Sequence, residues 1–324
     1  MRILLWHVHG SWTTSFVHGS HTYLLPTLPE GGPWGRGRCG RDWPATVHEV
    51  PVERLAETEV DIVLLQRPEE LAVAGTWLGR RPGTEVPAVY VEHNTPRGDV
   101  PDTRHPLAER TDIPLVHVTH FNKLLWDNGR APATVIEHGI VDPGYRYTGD
   151  LPHAAVVTNE PVRRWRVTGT DLLPTFSAAA PLDVFGMGLS GLAERVGLGP
   201  DRLTAVGDLG QDALHTELAR RRVYVHTTRW TSLGLSLLEA MHLGMPTVAV
   251  ASTAAPSVAP PDAGVVSADT AVLVDAVRRF VADPVLATEF GKRARKYALE
   301  NFALSTFLRS WDVLLTESIN DEGG

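Results

Sequence analysis

The sequence predicts an α/β protein built as two Rossmann-like domains facing a cleft. Three observations carry this expectation. The chain has 324 residues, beyond the size at which a single hydrophobic core usually keeps growing. Short β-rich apolar runs alternate with segments of 3.6-residue apolar spacing, which is the pattern of βαβ units and parallel sheets. The alternation comes in two series, separated by the Pro-, Gly- and Tyr-rich stretch 142–152.

In the first series the apolar runs predict strands over residues 3–8, 62–66, 88–92, 115–119 and 134–137. In the second they predict strands over 154–158, 182–185, 203–206, 223–226 and 247–250. Leu214 and Leu218, and later Leu273, Val277 and Val281, supply helical spacing between or after strands. Residues 285–318 are helical in pattern throughout. The domains are therefore drawn as 1–147 and 148–324, the last helix being a candidate to pack back on the first domain. Residues 29–44 hold Gly31, Gly32, Gly35, Gly37 and Gly40 and predict a long loop, in which Arg36, Arg38 and Arg41 are the only residues that suggest a ligand.

Composition narrows the function. The 30 Lys and Arg against 38 Asp and Glu give a formal charge of −8, which argues against a nucleic-acid partner recruited by bulk attraction. The single cysteine, Cys39, leaves no intrachain disulfide and no multi-Cys zinc site. The apolar run at residues 1–8 is too short for a signal h-region, and no other run approaches a membrane span. A cytoplasmic location without membrane insertion is expected.

The most informative segment is 223–250, VYVHTTRWTSLGLSLLEAMHLGMPTVAV. It predicts strand, loop, helix, glycine turn and strand, with Gly244 as the helix stop and Pro246 behind it. The loop 229–234 ends at a helix N-terminus, where unpaired amides and the helix dipole suit a phosphate. Gly234 would let a ligand approach the backbone. Glu239 lies on the same side of the helix as Leu235 and His242, so its carboxylate can reach the carboxyl edge of the sheet and accept from ribose hydroxyls.

The run GLSLLEAMHLG at 234–244 with the following MPTVAV resembles the donor-site signature of the large retaining GT-B glycosyltransferase family that includes sucrose synthases and mannosyltransferases. In that family two glutamates flank seven residues, the first contacting the donor sugar and the second the ribose. The resemblance implies a donor site formed by Thr231, Ser232, Leu233, Gly234, Leu235 and Glu239. Glu239 matches the second glutamate, whereas Thr231 replaces the first and supplies no negative charge.

Further segments carry the resemblance along the chain. VIEHGIVDPGYRY at 135–147 resembles the family's domain end. VYVEHNTP at 89–96 resembles the strand end bearing a histidine that faces the donor sugar, which implies this role for His93. The loop after the second domain's first strand holds Arg163, Arg164 and Arg166 before Thr168 and Gly169. The family neutralises the leaving diphosphate there with an arginine and a lysine. Thr168 stands at the lysine position, so the role passes to Arg164 and Arg166, without a choice between them. The turn after the first strand, with Gly10 and Ser11, matches the acceptor-side glycine loop without its paired glycines.

His7 and His9 would share one face of a strand, and His18 and His21 one face of a helix, but no carboxylate accompanies them at a familiar spacing, and no metal is expected. The resemblance thus implies an enzyme that moves a sugar from a nucleotide-diphosphate donor to an unidentified acceptor with retention of configuration, the nucleotide sugar being substrate and no cofactor being needed. Two rivals remain. One is a GT-B nucleotide-sugar epimerase or non-catalytic binder, favoured by the missing glutamate and lysine. The other is an NAD-dependent dehydrogenase, because Gly186, Gly188 and Gly191 formally match the dinucleotide fingerprint. The family explains Gly186 instead as room for the nucleotide.

Overall fold

The computed structural model describes residues 1–320. The chain divides into two compact units, the first made of Met1–Val141 with the segment from Leu304 onward, the second of Asp142–Ala303.

The first unit holds seven strands: β1 (Arg2–Leu5), β2 (Thr22–Thr27), β3 (Val47–Pro51), β4 (Ile62–Leu65), β5 (Ala88–Glu92), β6 (Leu115–His117) and β7 (Ala133–Val135). All pair in parallel in the order β3-β2-β1-β4-β5-β6-β7. The central strands are apolar on both faces, as a sheet covered on both sides requires, and β1, β4 and β5 bury nearly every side chain. Two of the strands, β2 and β3, were not expected. In TYLLPT, Pro26 argues against an interior strand, but β1 pairs only with Thr22–Leu24, so the proline lies beyond the reach of β1. VHEVP is a largely exposed edge strand whose polar residues hide its pairing.

The second unit holds β8 (Leu151–Val157), β9 (Leu182–Phe185), β10 (Leu203–Gly207), β11 (Arg221–His226), β12 (Thr247–Val250) and β13 (Gly264–Ser267). They too pair in parallel, in the order β10-β9-β8-β11-β12-β13. The unexpected member is again an edge strand, β13, a four-residue run opened by a glycine.

The unit boundary falls earlier than the sequence boundary at 147. The six residues after Val141 bond into the second unit: Asp142 pairs with Arg295, the amide of Arg146 donates to the Leu243 carbonyl, and the Tyr147 hydroxyl donates to the Arg222 carbonyl. The C-terminal helical stretch is two helices, Pro284–Asn301 and Leu304–Asn320. They are separated at the buried Phe302, whose backbone (φ −122°, ψ 32°) leaves the helix. The second of them completes the first unit. Its Trp311 packs edge-on against Trp12 and Phe16 at ring distances of 5.7 and 5.2 Å, and Phe307 stacks edge-on with Trp12 at 6.1 Å.

Residues 29–44 form no helix or strand beyond one isolated bridge of Arg36 to Thr27. The loop is nevertheless tied down: Arg38 donates to the carbonyls of Trp43 and Pro44, and its amide to Glu49. Among the described residues no helix is long and apolar enough to cross a membrane.

Trp311 is 1% exposed, and deleting its indole leaves a cavity that the surrounding rings cannot fill. Trp311→Ala should destabilise the first unit by about 3–5 kcal/mol. Urea unfolding measures this, and a loss below about 1 kcal/mol would show that the terminal helix contributes little to that core.

Candidate active site

Both sheets reverse their strand order at the centre. In the second unit the chain proceeds from β8 outward through β9 to β10, then starts again beside β8 with β11 and moves outward the other way. The carboxyl ends of β8 and β11 therefore bound a topological switch point, the place where open α/β sheets bind ligands. The two loops that leave these strands carry most of the residues singled out by sequence.

These loops are bonded to each other. The carbonyl of Val167, in the loop after β8, accepts from the amides of Arg229 and Trp230 at 2.9 and 3.2 Å. The Thr227 hydroxyl donates to the Thr168 carbonyl at 2.7 Å. Gly169 makes the contact possible: its φ is +69°, and a Cβ there would lie 1.9 Å from the Thr227 carbonyl oxygen. The loop after β8 also stores backbone strain, with Glu160 at φ +53° and Trp165 at φ +35°, a feature that clusters at functional sites.

The basic side chains of this loop are more heavily engaged than their spacing suggests. Arg163 pairs with Glu160. Arg166 pairs with Asp171 at 2.9 Å, and the same carboxylate accepts from Arg229. Two guanidiniums on one carboxylate leave a net positive charge, so Arg166 belongs to a triad rather than standing as a solitary cation. Arg229 is the member that sequence reasoning passed over, although it lies within the motif. Arg164 is half-buried at the end of the short helix Pro161–Arg164.

Thr231, Ser232, Leu233 and Gly234 occupy the loop after β11, with Ser232 and Leu233 buried, and Leu235 opens the helix Leu235–Leu243. No side chain caps this helix at Gly234. Gly234 has a packing reason of its own, because a Cβ would fall 2.4 Å from the ring of the buried His226. Burial pushes His226 down to about 4, so the ring under the loop is neutral.

Glu239 is 4% exposed. Its carboxylate lies toward the helix Gln211–Arg220, with the Gln211 amide at 3.4 Å and the His215 ring nitrogen at 3.6 Å. Both are longer than charge-assisted hydrogen bonds. A buried carboxylate held by long contacts retains lone pairs for a hydroxyl donor.

Gly186 follows β9, the neighbour of β8, and lies against the carboxyl end of β8. Its φ is +125°, and a Cβ would meet the Thr158 carbonyl oxygen at 2.2 Å. The chain thus has a local packing reason for this glycine. The fingerprint that suggested a dehydrogenase opens a helix of only five residues, Leu192–Val196, after the second strand of the sheet. It lacks the first-βα setting that dinucleotide binding uses.

In the first unit the order reverses between β1 and β4, and histidines gather near their carboxyl ends. Strand β1 stops at Leu5, earlier than expected, so His7 and His9 do not share a strand face. Instead His7 meets the Gly37 carbonyl at 3.1 Å, and His9 lies 4.1 Å from the ring of His93. His18 and His21 do not share a helical face, because the helix Gly10–Phe16 ends before them. Gly10 and Ser11 open that helix, and the Arg41 guanidinium covers Gly10 closely enough that a Cβ would sit 2.5 Å from it.

His93 follows β5 and is buried. Burial drives it well below the ordinary histidine range, helped by His9 and His138. Burial likewise pushes His9 down to about 4 and His138 to about 3. The cluster is a set of buried imidazoles that are neutral rather than charged. Among the described residues no group of three or more His, Cys, Asp or Glu is placed to hold a metal ion.

Residues 188–297 match the family model described as Glycosyl transferases group 1. This segment of the second unit is that of a glycosyltransferase. The chain's two parallel-sheet domains form the GT-B fold, which recurs in solved structures of low sequence identity. HepE of Anabaena, in complex with UDP and glucose, is 15% identical with a TM-score of 0.73, over 98% of this chain and 99% of that one. Sucrose-phosphate synthase from Thermosynechococcus elongatus is 15% identical with a TM-score of 0.71, over 98% of each chain. A glycosyltransferase from Rickettsia africae is 14% identical with a TM-score of 0.70, again over 98% of each. No curated protein matches the chain. The matched region contains the loop after β11 and Glu239, whereas the arginines after β8 and the histidine cluster lie outside it.

The buried histidines set an acid limit for the enzyme. His117 and His226 are held at about 4 and His138 at about 3, against 6.5 in the unfolded chain. The unfolded state binds more protons between these values, so their contribution is complete above pH 6.5 and is lost as pH falls toward 4. Each can add a slope of up to about 1.4 kcal/mol per pH unit in that window. Urea midpoints at pH 7 and pH 5 should differ clearly, and His138→Gln should flatten the difference. Equal midpoints in the native enzyme would contradict the buried neutral assignment.

Proposed function

We propose that the enzyme transfers a sugar from a nucleotide-diphosphate donor to an acceptor hydroxyl with retention of anomeric configuration. The observation that carries the reading is the bonded pair of loops at the switch point of the second unit. It combines the Arg166–Asp171–Arg229 triad, the uncapped amides at Leu235 and the buried Glu239 carboxylate. Cations and amides suit a diphosphate, and the carboxylate suits a ribose diol. Neighbours of the same fold described in complex with UDP or UDP-glucose support this class of donor.

In this reading Arg164 and Arg166 stabilise charge that grows on the diphosphate as the glycosidic bond breaks. Thr231 meets the sugar with a hydroxyl in place of a carboxylate, so the developing positive charge at the anomeric carbon is balanced chiefly by the leaving phosphate. That phosphate also takes the acceptor proton on the same face, without a covalent sugar intermediate. Gly10 and Ser11 serve the acceptor, and His93 hydrogen-bonds the donor sugar. No cofactor or metal takes part. The reaction belongs to the cytoplasm, without membrane insertion or a nucleic-acid partner. The absence of a carboxylate at Thr231 favours one rival, an epimerase or binder of the same fold. Incubation with donor alone separates the two, since epimerised or hydrolysed sugar without acceptor belongs to the rival.

A thermal-shift panel of UDP, GDP, ADP and dTDP sugars identifies the donor, because a ligand at a hundred times its Kd stabilises by about 2.7 kcal/mol. With that donor, Glu239→Gln should weaken nucleotide binding by about 1–3 kcal/mol while the fold survives. Calorimetry showing wild-type affinity in the folded variant would remove Glu239 from the site. The anomeric coupling constant of the product, read by NMR, should match that of the donor, and His93→Ala should lower turnover with nucleotide affinity near wild type. An inverted product would overturn retention and make His93 the general base.

A further inference from the structure

We infer that Gln66 is a positioning residue that fixes the ring tautomer of His93, holding the proton on Nε2 and leaving Nδ1 as a hydrogen-bond acceptor. Nothing in the sequence motifs points to Gln66. It follows β4 directly, at the switch point of the first unit, and is 1% exposed.

Hydrogen-bond chemistry decides the orientation. The Gln66 side-chain amide reaches two partners, the Trp6 main-chain carbonyl at 2.8 Å and His93 Nε2 at 3.0 Å. A main-chain carbonyl only accepts, so the amide NH2 must face Trp6. The amide oxygen is then the atom that faces His93. An oxygen cannot donate, so His93 Nε2 must carry the proton. The reverse flip would set two carbonyl oxygens against each other at Trp6 and is excluded on the same ground.

Gln66 has little freedom to yield. Its own amide donates to Glu70 Oε2 at 2.6 Å, and its own carbonyl accepts from the Tyr90 hydroxyl at 3.4 Å. Glu70 is itself buried and held by Arg67 Nε at 2.7 Å. The relay therefore runs from the ion pair Arg67–Glu70 through the backbone of Gln66, and from its side chain to the ring. Burial, with His9 and His138 acting in the same direction, keeps His93 from the doubly protonated form.

The consequence rests on the reading in which His93 meets the donor sugar. With Nε2 protonated toward Gln66, any contact made through Nδ1 accepts from a sugar hydroxyl and cannot donate to one. The contact then selects donors with a free hydroxyl at that position over a carbonyl or ether oxygen, and His93 is unsuited to act as a general acid through Nδ1.

Ring-nitrogen NMR of histidine-labelled enzyme at pH 8, with the His93 signals assigned by their loss in His93→Gln, tests the tautomer without any donor. The native enzyme should show the proton on Nε2. Gln66→Met should move His93 toward a tautomer mixture and lower kcat about tenfold with the donor KM within about twofold. A native spectrum with the proton on Nδ1, or a folded Gln66→Met with an unchanged tautomer, would overturn the inference. If Gln66→Met fails to fold, the native spectrum alone decides. A tautomer that moves as expected while kcat stays unchanged upholds the role of Gln66 and instead removes His93 from contact with the sugar.

Discussion

The second unit depends on one close approach, that of Gly169 to the end of β11. The loop after β8 descends onto Thr227 only because position 169 has no side chain and tolerates φ +69°. The Thr227 hydroxyl and the amides of Arg229 and Trp230 then close the seam. Without the seam, Arg166 and Arg229 would not share Asp171, and the loop before the helix Leu235–Leu243 would lose its support. A backbone contact thus fixes where the charges sit. That is an economical way to hold long, entropically costly arginine side chains in one place.

The same logic recurs in the first unit with different chemistry. Its sheet also reverses at the centre, between β1 and β4, and the strand that follows the reversal again delivers the controlling residue. In the second unit that residue is Arg229, within a charged triad. In the first it is Gln66, within a neutral chain from Trp6 to His93. Charge suits a site that meets phosphate. Neutral hydrogen bonding suits one that meets sugar hydroxyls, and burial of His9, His93 and His138 enforces neutrality by disfavouring their protonated forms.

The central strands were legible in the sequence because each is an apolar run bounded by turn residues, the pattern that burial on both faces imposes. What escaped were β2, β3 and β13, where Pro26, the polar residues of VHEVP and Gly264 obscure the signal, two of them being edges where such residues are tolerated. Motif spacing brought Thr231, Ser232 and Leu233 to one loop and Glu239 to the buried face behind it. It could not reveal that Arg166 is shared through Asp171 with Arg229, since that pairing spans 58 residues. Nor could it find Gln66, which acts on His93 from 27 positions away and belongs to no motif. Gly186 and Gly234 were legible as glycines, but the collisions that require them, with Thr158 and His226, are properties of the fold.

The central claim is that a nucleoside diphosphate binds at the carboxyl ends of β8 and β11. Hydrogen–deuterium exchange with and without the diphosphate that gives the largest thermal shift tests it most directly. Protection should appear in residues 158–170 and 227–239, the two loops joined by the seam. Protection confined to residues 186–191 after β9, with those two loops unchanged, would contradict it.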